Sequence, residues 1–331
     1  MKDKKKYYGL DWLRAVACIG IAMMHIRANT DYSISGFIYN QFIPSLTDFV
    51  YLFMVISAFG MCCGYFDKVM NGKINWIDFY KKRYLKILPF FMLLIFIDLT
   101  IELSTSSLME GIVEMTLLHG FIPQSLSVIG VGWYLGTVFI FYLIFPFFCV
   151  LIEKKSRAWA AFAVSIGLHY ICANYFMLDR NNILFSLCYF FAGGLLYLYR
   201  ESLTRVKWYV YLPIVLCSLL VYYWLNSNAL TVLLVACLLM CFAISIEGNN
   251  RIASFISGLS MEIYLSHMLV FRIIEKLHLT TKFGNGWLQY IITVCLVIFG
   301  TIVFSYIMQI LINYAEKKII NLKKDRLYKK R

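Results

Sequence analysis

Long apolar runs interrupted by short polar ones repeat along the whole chain. A hydrocarbon core of about 30 Å takes about 20 mostly apolar helical residues to cross. Ten stretches suit that role: residues 10–27, 43–65, 84–101, 132–152, 157–175, 183–199, 208–225, 229–246, 252–274 and 287–314. The pattern predicts an all-α integral membrane protein, a bundle of about ten transmembrane helices. It forms one domain over residues 1–331, with short basic tails at 1–9 and 315–331. The longest gap, 103–131, follows Glu102, carries Glu110 and Glu114 and then the run MTLLHGFIP, which suits an interfacial or re-entrant half-helix.

Composition agrees. Hydrophobic residues make up 61% of the chain and charged ones 15%, against about 45–50% and about 25% in soluble domains. That excludes a soluble enzyme, and 18% aromatic residues exclude disorder. The net charge of +13 does not point to nucleic acid, because the basic residues lie in short runs between apolar stretches. Lys and Arg flanks resist translocation. With the N-terminus inside, the inner segments hold 25 Lys and Arg, eight of them between 317 and 331, and the outer segments hold five: Arg27, Arg180, Arg272, Lys276 and Lys282. Both termini are therefore expected in the cytoplasm. No small-residue cleavage site follows the first apolar run, so it reads as a retained helix. The Lys-, Asn-, Ile-, Tyr- and Phe-rich usage fits a multi-pass protein of a bacterial plasma membrane. All ten cysteines fall within predicted spans, with no C-x-x-C pair and no His at metal-ligand spacing; neither a disulfide nor a metal is implied.

Ionisable residues in a spanning helix are costly and mark function by default. The first span, LDWLRAVACIGIAMMHIR, carries Asp11, Arg14 and His25. Arg14 and His25 are eleven residues apart, which returns them to within about 20° of one face with an axial separation of about 16 Å. Asp11, three residues before Arg14, is placed to pair with it. Such a stripe suits a site reached from both sides of the bilayer. Arg14 would hold an anionic group from the cytoplasm, His25 would serve as base or carrier for an acceptor from outside, and both would line one continuous cavity. The alternative is an arginine that snorkels to headgroups and a histidine bonded to a neighbouring helix. Spacing alone leaves both open.

The motif R-x10-H in the first helix, preceded by D-x-x-R, resembles the opening of the membrane acyltransferase 3 family, whose ten-helix members O-acylate cell-surface glycans. Three further segments agree in order. FMVISAF at 53–59 is similar to the F-F-x-x-S-G-F signature, KKRYLKILP at 81–89 to a basic R-x-x-R-I-x-P run, and GLSMEIYLSH at 258–267 to a late G-x-S-x-x-I-Y-L-x-H segment. Trp133, Tyr134, Tyr142 and Pro146 fit a W-Y-L then Y-x-x-x-P pattern. The chain departs from the family at Ala58, where Gly is usual, and at Lys86, whose ammonium lacks the bidentate fork of the usual Arg. The Glu that many polysaccharide acetylases carry after W-x-L is missing from GTVFIFY at 136–142.

The resemblance implies transfer of an acyl group, most often acetyl, from cytoplasmic acyl-CoA to a hydroxyl on a polysaccharide or lipid-linked glycan. No bound cofactor is implied; acyl-CoA is the donor substrate. Arg14, Lys81, Lys82, Arg83 and Lys86 would hold its anionic nucleotide end. His25 would take the hydroxyl proton or be transiently acylated, and Ser57, Tyr264 and His267 are candidate donors to a developing oxyanion. Ser57 reads as a helix-packing residue rather than a nucleophile, because no base accompanies it in sequence. His169 is expected to bond a helix neighbour, while His119 and His278 fall near outer boundaries. The aromatic edge of Tyr32, Phe37, Tyr39, Phe42, Trp133, Tyr134 and Trp287 suits an interfacial belt or sugar stacking. Glu102, Glu110 and Glu114 suit a solvated face or carbohydrate hydroxyls. The partners expected are thus the bilayer, acyl-CoA and a glycan. The rival reading is an exporter or flippase of an oligosaccharide in which Arg14 and His25 form a relay or clamp; the repeats that would favour transport are not evident.

Overall fold

A computed structural model describes residues 6–101, 104–122, 128–178, 180–225, 228–278 and 284–328, with side chains to residue 318. Glu102 and Lys282 lie outside the described residues. Among those described, every regular element is helical. The chain runs through α1 (Gly9–Ala28), α2 (Ile43–Ser45), α3 (Phe49–Met70), α4 (Trp76–Ile101), α5 (Thr105–Met115), α6 (Trp133–Ile152) and α7 (Lys155–Asn174). It continues through α8 (Ile183–Leu203), α9 (Trp208–Trp224), α10 (Ala229–Ser245), α11 (Arg251–Gly258), α12 (Ser260–Lys276) and α13 (Gly286–Tyr328). Helix thus occupies all ten stretches that hydropathy marked.

Six helical runs are long and apolar enough to cross a bilayer: Gly9–Ala28, Ile38–Met70, Trp76–Ile101, Trp133–Ile152, Ile183–Leu203 and Gly286–Lys318. The pair α11 and α12, bent by 68° at Leu259, makes a seventh if it counts as one broken span. The apolar helices α9 and α10 are shorter, at 17 residues each. Large side chains such as Trp224, Leu220, Phe147 and Phe299 stand exposed on the outer faces of these helices, as lipid-facing positions do and water-facing ones do not.

Several elements run past their predicted ends, two of them by eight residues or more. α4 begins eight residues before the hydropathic stretch, and α13 continues into the basic tail. Both extensions are rich in Lys and Arg, which are good helix formers whatever the hydropathy does.

α1 lies at the centre, packed by α3, α10, α11, α12 and α13. Its small residues Ala15, Ala17, Cys18, Gly20 and Ala22 are buried, letting neighbouring backbones approach as membrane helix contacts require. α3 packs along α8. There Gly193 faces Val55, Ala58 and Phe59, so the extra methyl of Ala58 is accepted by a glycine opposite.

The acidic segment differs from expectation. Glu114 is not on a solvated face: it is 1% exposed and accepts the Ile129 backbone N–H at 3.3 Å. Burial, opposed by that hydrogen bond, pushes its carboxyl up to about 8. A carboxyl raised in the folded state favours folding fully below its unfolded value, and that advantage is lost as pH rises through about 8. The melting temperature of the solubilised protein should therefore fall from about pH 5 to about pH 8 and level off above it, and Glu114→Gln should flatten that fall. An unchanged slope in the variant would show that another group carries it.

Candidate active site

Three helices, α1, α4 and α12, each contribute to two polar cavities, one toward either end. Their N-terminal parts supply Asp11 and Arg14, Arg83 and Lys86, and Ser260 and Tyr264 to a first cavity of about 470 Å³. Their C-terminal parts supply His25, Asp98 and Arg272 to a second of about 360 Å³. Arg14 and His25 therefore do not line one continuous cavity. Tyr264, at the inner limit of the first, donates its hydroxyl to the Val131 carbonyl at 2.8 Å, and Val131 lines the second. That bond joins the wall of one cavity to the wall of the other.

The first cavity is electrically organised. Asp11 accepts from Ser254 and Ser257 at 2.8 and 2.9 Å, and pairs loosely with Arg14 at 3.9 Å and Lys6 at 3.8 Å. With two hydroxyls satisfying the carboxylate, the Arg14 guanidinium keeps donors for a ligand. Arg83 donates to the Tyr65 hydroxyl at 2.7 Å and lies over the Tyr142 ring, which fixes its fork beside the space. Lys86 lines the same wall, whereas Lys81 and Lys82 are exposed and outside it. Six residues of α4, less than two turns, carry all four basic residues, but helical periodicity turns only two of them inward. Ser57 shares a hydrogen bond with the Tyr134 hydroxyl at 3.2 Å on the apolar side.

In the second cavity His25 stands with Asn29 and with an ion pair, Arg272 to Asp98 at 2.9 Å. Asp98 is a residue the sequence reading missed: its signal was a lone carboxylate in an apolar run, three residues before the predicted end of that span. His267 is fully buried behind His25, with ring centroids 5.1 Å apart. Its Nδ1 donates to the Tyr264 carbonyl at 2.7 Å. A carbonyl only accepts, so the neutral ring carries its proton on Nδ1 and offers a lone pair at Nε2. As a neutral ring His267 is thus an acceptor there and not the oxyanion donor the sequence suggested. Tyr264 has likewise committed its hydroxyl to Val131.

Arg180 was also missed, having entered the sequence reading only as an outer charge. It lies over the Trp133 ring at 4.9 Å and donates to Thr47 at 3.3 Å. The other aromatics assigned to the outer edge divide: Phe37 and Phe42 are exposed, Tyr134 lines the first cavity, and the rest pack around Tyr290. Tyr39 is buried against Trp287 and Tyr290, and Tyr32 bonds Thr293 at 2.9 Å. His169 bonds the Phe185 carbonyl of α8, as expected, while His119 is buried against the Gly132 carbonyl.

A cationic cavity at one end of three helices and a histidine-lined cavity at the other, with a single tyrosine hydrogen bond between them, suits two ligands that must meet in the middle. In comparison with known proteins, a family model described as an acyltransferase domain matches residues 7–309. No curated protein and no solved structure matches the chain.

Proposed function

Because the chain belongs to the acyltransferase 3 family, with nearly its whole length matched, we propose that it is a membrane O-acyltransferase taking its acyl group, acetyl first, from cytoplasmic acyl-CoA. The acceptor is a hydroxyl of a cell-surface or lipid-linked glycan. On this reading ten helices cross a bacterial plasma membrane and both termini are cytoplasmic. The observation that carries the proposal is the division of charge between the two cavities: Arg14, Arg83 and Lys86 in one, His25 in the other.

The nucleotide phosphates are held in the first cavity by Arg14 and Arg83, whose guanidinium forks suit phosphate oxygens, with Lys86 as a point charge. The pantetheine arm passes where Tyr264 meets Val131, exchanging that hydrogen bond for contact with the thioester. In the second cavity the acceptor hydroxyl lies among Asn29, Asp98 and Arg272. His25 takes its proton as the oxygen bonds to the acyl carbon; the carbon–sulfur bond then breaks, and the thiolate recovers the proton from His25. Transient acylation of His25 itself would use the same bare nitrogen.

Purified protein in vesicles, given labelled acetyl-CoA on the Arg14 side and glycan on the other, should move label to the glycan. Arg14→Ala should raise the donor KM by about 10-fold or more, the worth of one charge-assisted hydrogen bond. Movement of unmodified glycan without any acyl-CoA would instead establish an exporter.

A further inference from the structure

The buried Nε2 of His267 has no hydrogen-bond partner. Leaving a buried polar atom unpaired costs about 1–3 kcal/mol, so its retention beside His25 calls for an explanation. Another buried ring, His119, also keeps a nitrogen unbonded, but it faces the ring of Phe91, which offers no proton. His267 faces a second histidine, with the ring planes inclined at 43°. The two rings are not hydrogen-bonded as they stand, but at a centroid spacing of 5.1 Å a turn of the His25 ring that points a nitrogen at Nε2 brings the pair to about 3 Å, hydrogen-bond distance.

We propose that His267 is a positioning residue for His25. The proton on Nδ1 is held by the Tyr264 carbonyl, so Nε2 remains a lone pair and accepts the N–H of His25. That fixes the tautomer of His25: one nitrogen is protonated and turned to His267, the other is bare and turned to the cavity. When the bare nitrogen takes a proton from the acceptor hydroxyl, the imidazolium shares its new charge through the same hydrogen bond. The carbon–oxygen bond forms, the carbon–sulfur bond breaks, and the proton passes from His25 to sulfur. His267 itself gains and loses nothing and touches neither substrate, since it lines neither cavity. Tyr264 thereby has two duties on one residue: its hydroxyl joins the walls of the two cavities, and its carbonyl sets the proton on His267. This inference rests on the acyl-transfer reading above.

Two variants separate positioning from packing. His267→Phe keeps the ring and removes the acceptor, while His267→Gln sets an amide oxygen at about the reach of Nε2. For His267→Phe, kcat should fall by about 100-fold, the lower end of what acid–base assistance supplies, with both KM values within about twofold; His267→Gln should recover to within about 10-fold of wild type. A wild-type kcat in the Phe variant, a change confined to KM, or equal losses in the two variants would overturn the assignment. Because either variant can fail to fold, the wild-type protein provides a second test by 15N NMR of labelled histidine in nanodiscs. The expected spectrum has His267 protonated at Nδ1 and a single His25 tautomer; a proton on Nε2 of His267, or mixed tautomers at His25, would overturn it. If the wild type moves no acyl group from any acyl-CoA, the proposed function fails instead, and the spectrum still decides whether the two rings are coupled.

Discussion

Replacing His25 by alanine should lower acyl transfer by about 1,000-fold, within the range that proton transfer by a positioned side chain contributes. The donor cavity has no contact with this residue, since His25 lines only the second cavity. Affinity for a non-transferable acyl-CoA analogue should therefore stay within about twofold of wild type, which is within about 0.4 kcal/mol. Arg14→Ala should show the opposite split, with weak donor binding and a smaller loss of kcat at saturation. Calorimetric titration of both variants, alongside single-turnover transfer, checks the division. Equal loss of donor binding in the two variants would mean that the cavities act as one site and that the hydrogen bond from Tyr264 to Val131 is no barrier.

The second large effect is on assembly. A Cβ at Gly193 would run into the Val55 carbonyl oxygen of α3 and stand 2.8 Å from the Cβ of Ala58. Backbone cannot yield as a flexible side chain can, so Gly193→Val must push α8 away from α3 along the contact that supports Ser57 and Phe53. Overpacking a well-filled contact typically costs about 1–3 kcal/mol and sometimes more, and in a lipid environment close packing is itself the main attraction between helices. The variant should give no monodisperse peak on size exclusion. Gly167→Val, on α7 where nothing stands within 4 Å of the added carbon, should elute and melt as wild type does. Equal behaviour of the two variants would show that the α3–α8 approach is not a constraint.

Much of the fold was legible because lipid imposes one rule on every span: about 20 apolar residues, with backbone hydrogen bonds made inside the helix. That rule placed helix in all ten stretches. It did not place the ends, since hydropathy stops at the edge of the hydrocarbon whereas α4 and α13 continue on helix propensity alone. Nor did it find the break at Leu259, which divides an apolar stretch into α11 and α12.

The site was legible in part for a related reason. Against an apolar background Asp11, Arg14 and His25 stand out in one helix, and their spacing on a single face is a matter of helical geometry. What spacing within one helix cannot give is what faces that helix. Tyr264 is 250 residues from Arg14 in sequence, and Val131 is over a hundred from His25; only packing brings them into one wall. The sequence by itself therefore determined that the chain is a helical membrane protein with a cation and a histidine on one stripe. The tertiary structure decided that the stripe serves two cavities and not one, that Lys81 and Lys82 stand apart from the site while Asp98 and Arg272 join it, and that His267 lies beside His25 with its Nε2 unpaired. The physical reason is that hydropathy and periodicity are properties of one helix at a time. A cavity, a partition or a tautomer is set by atoms that separate helices bring within about 3 Å of each other.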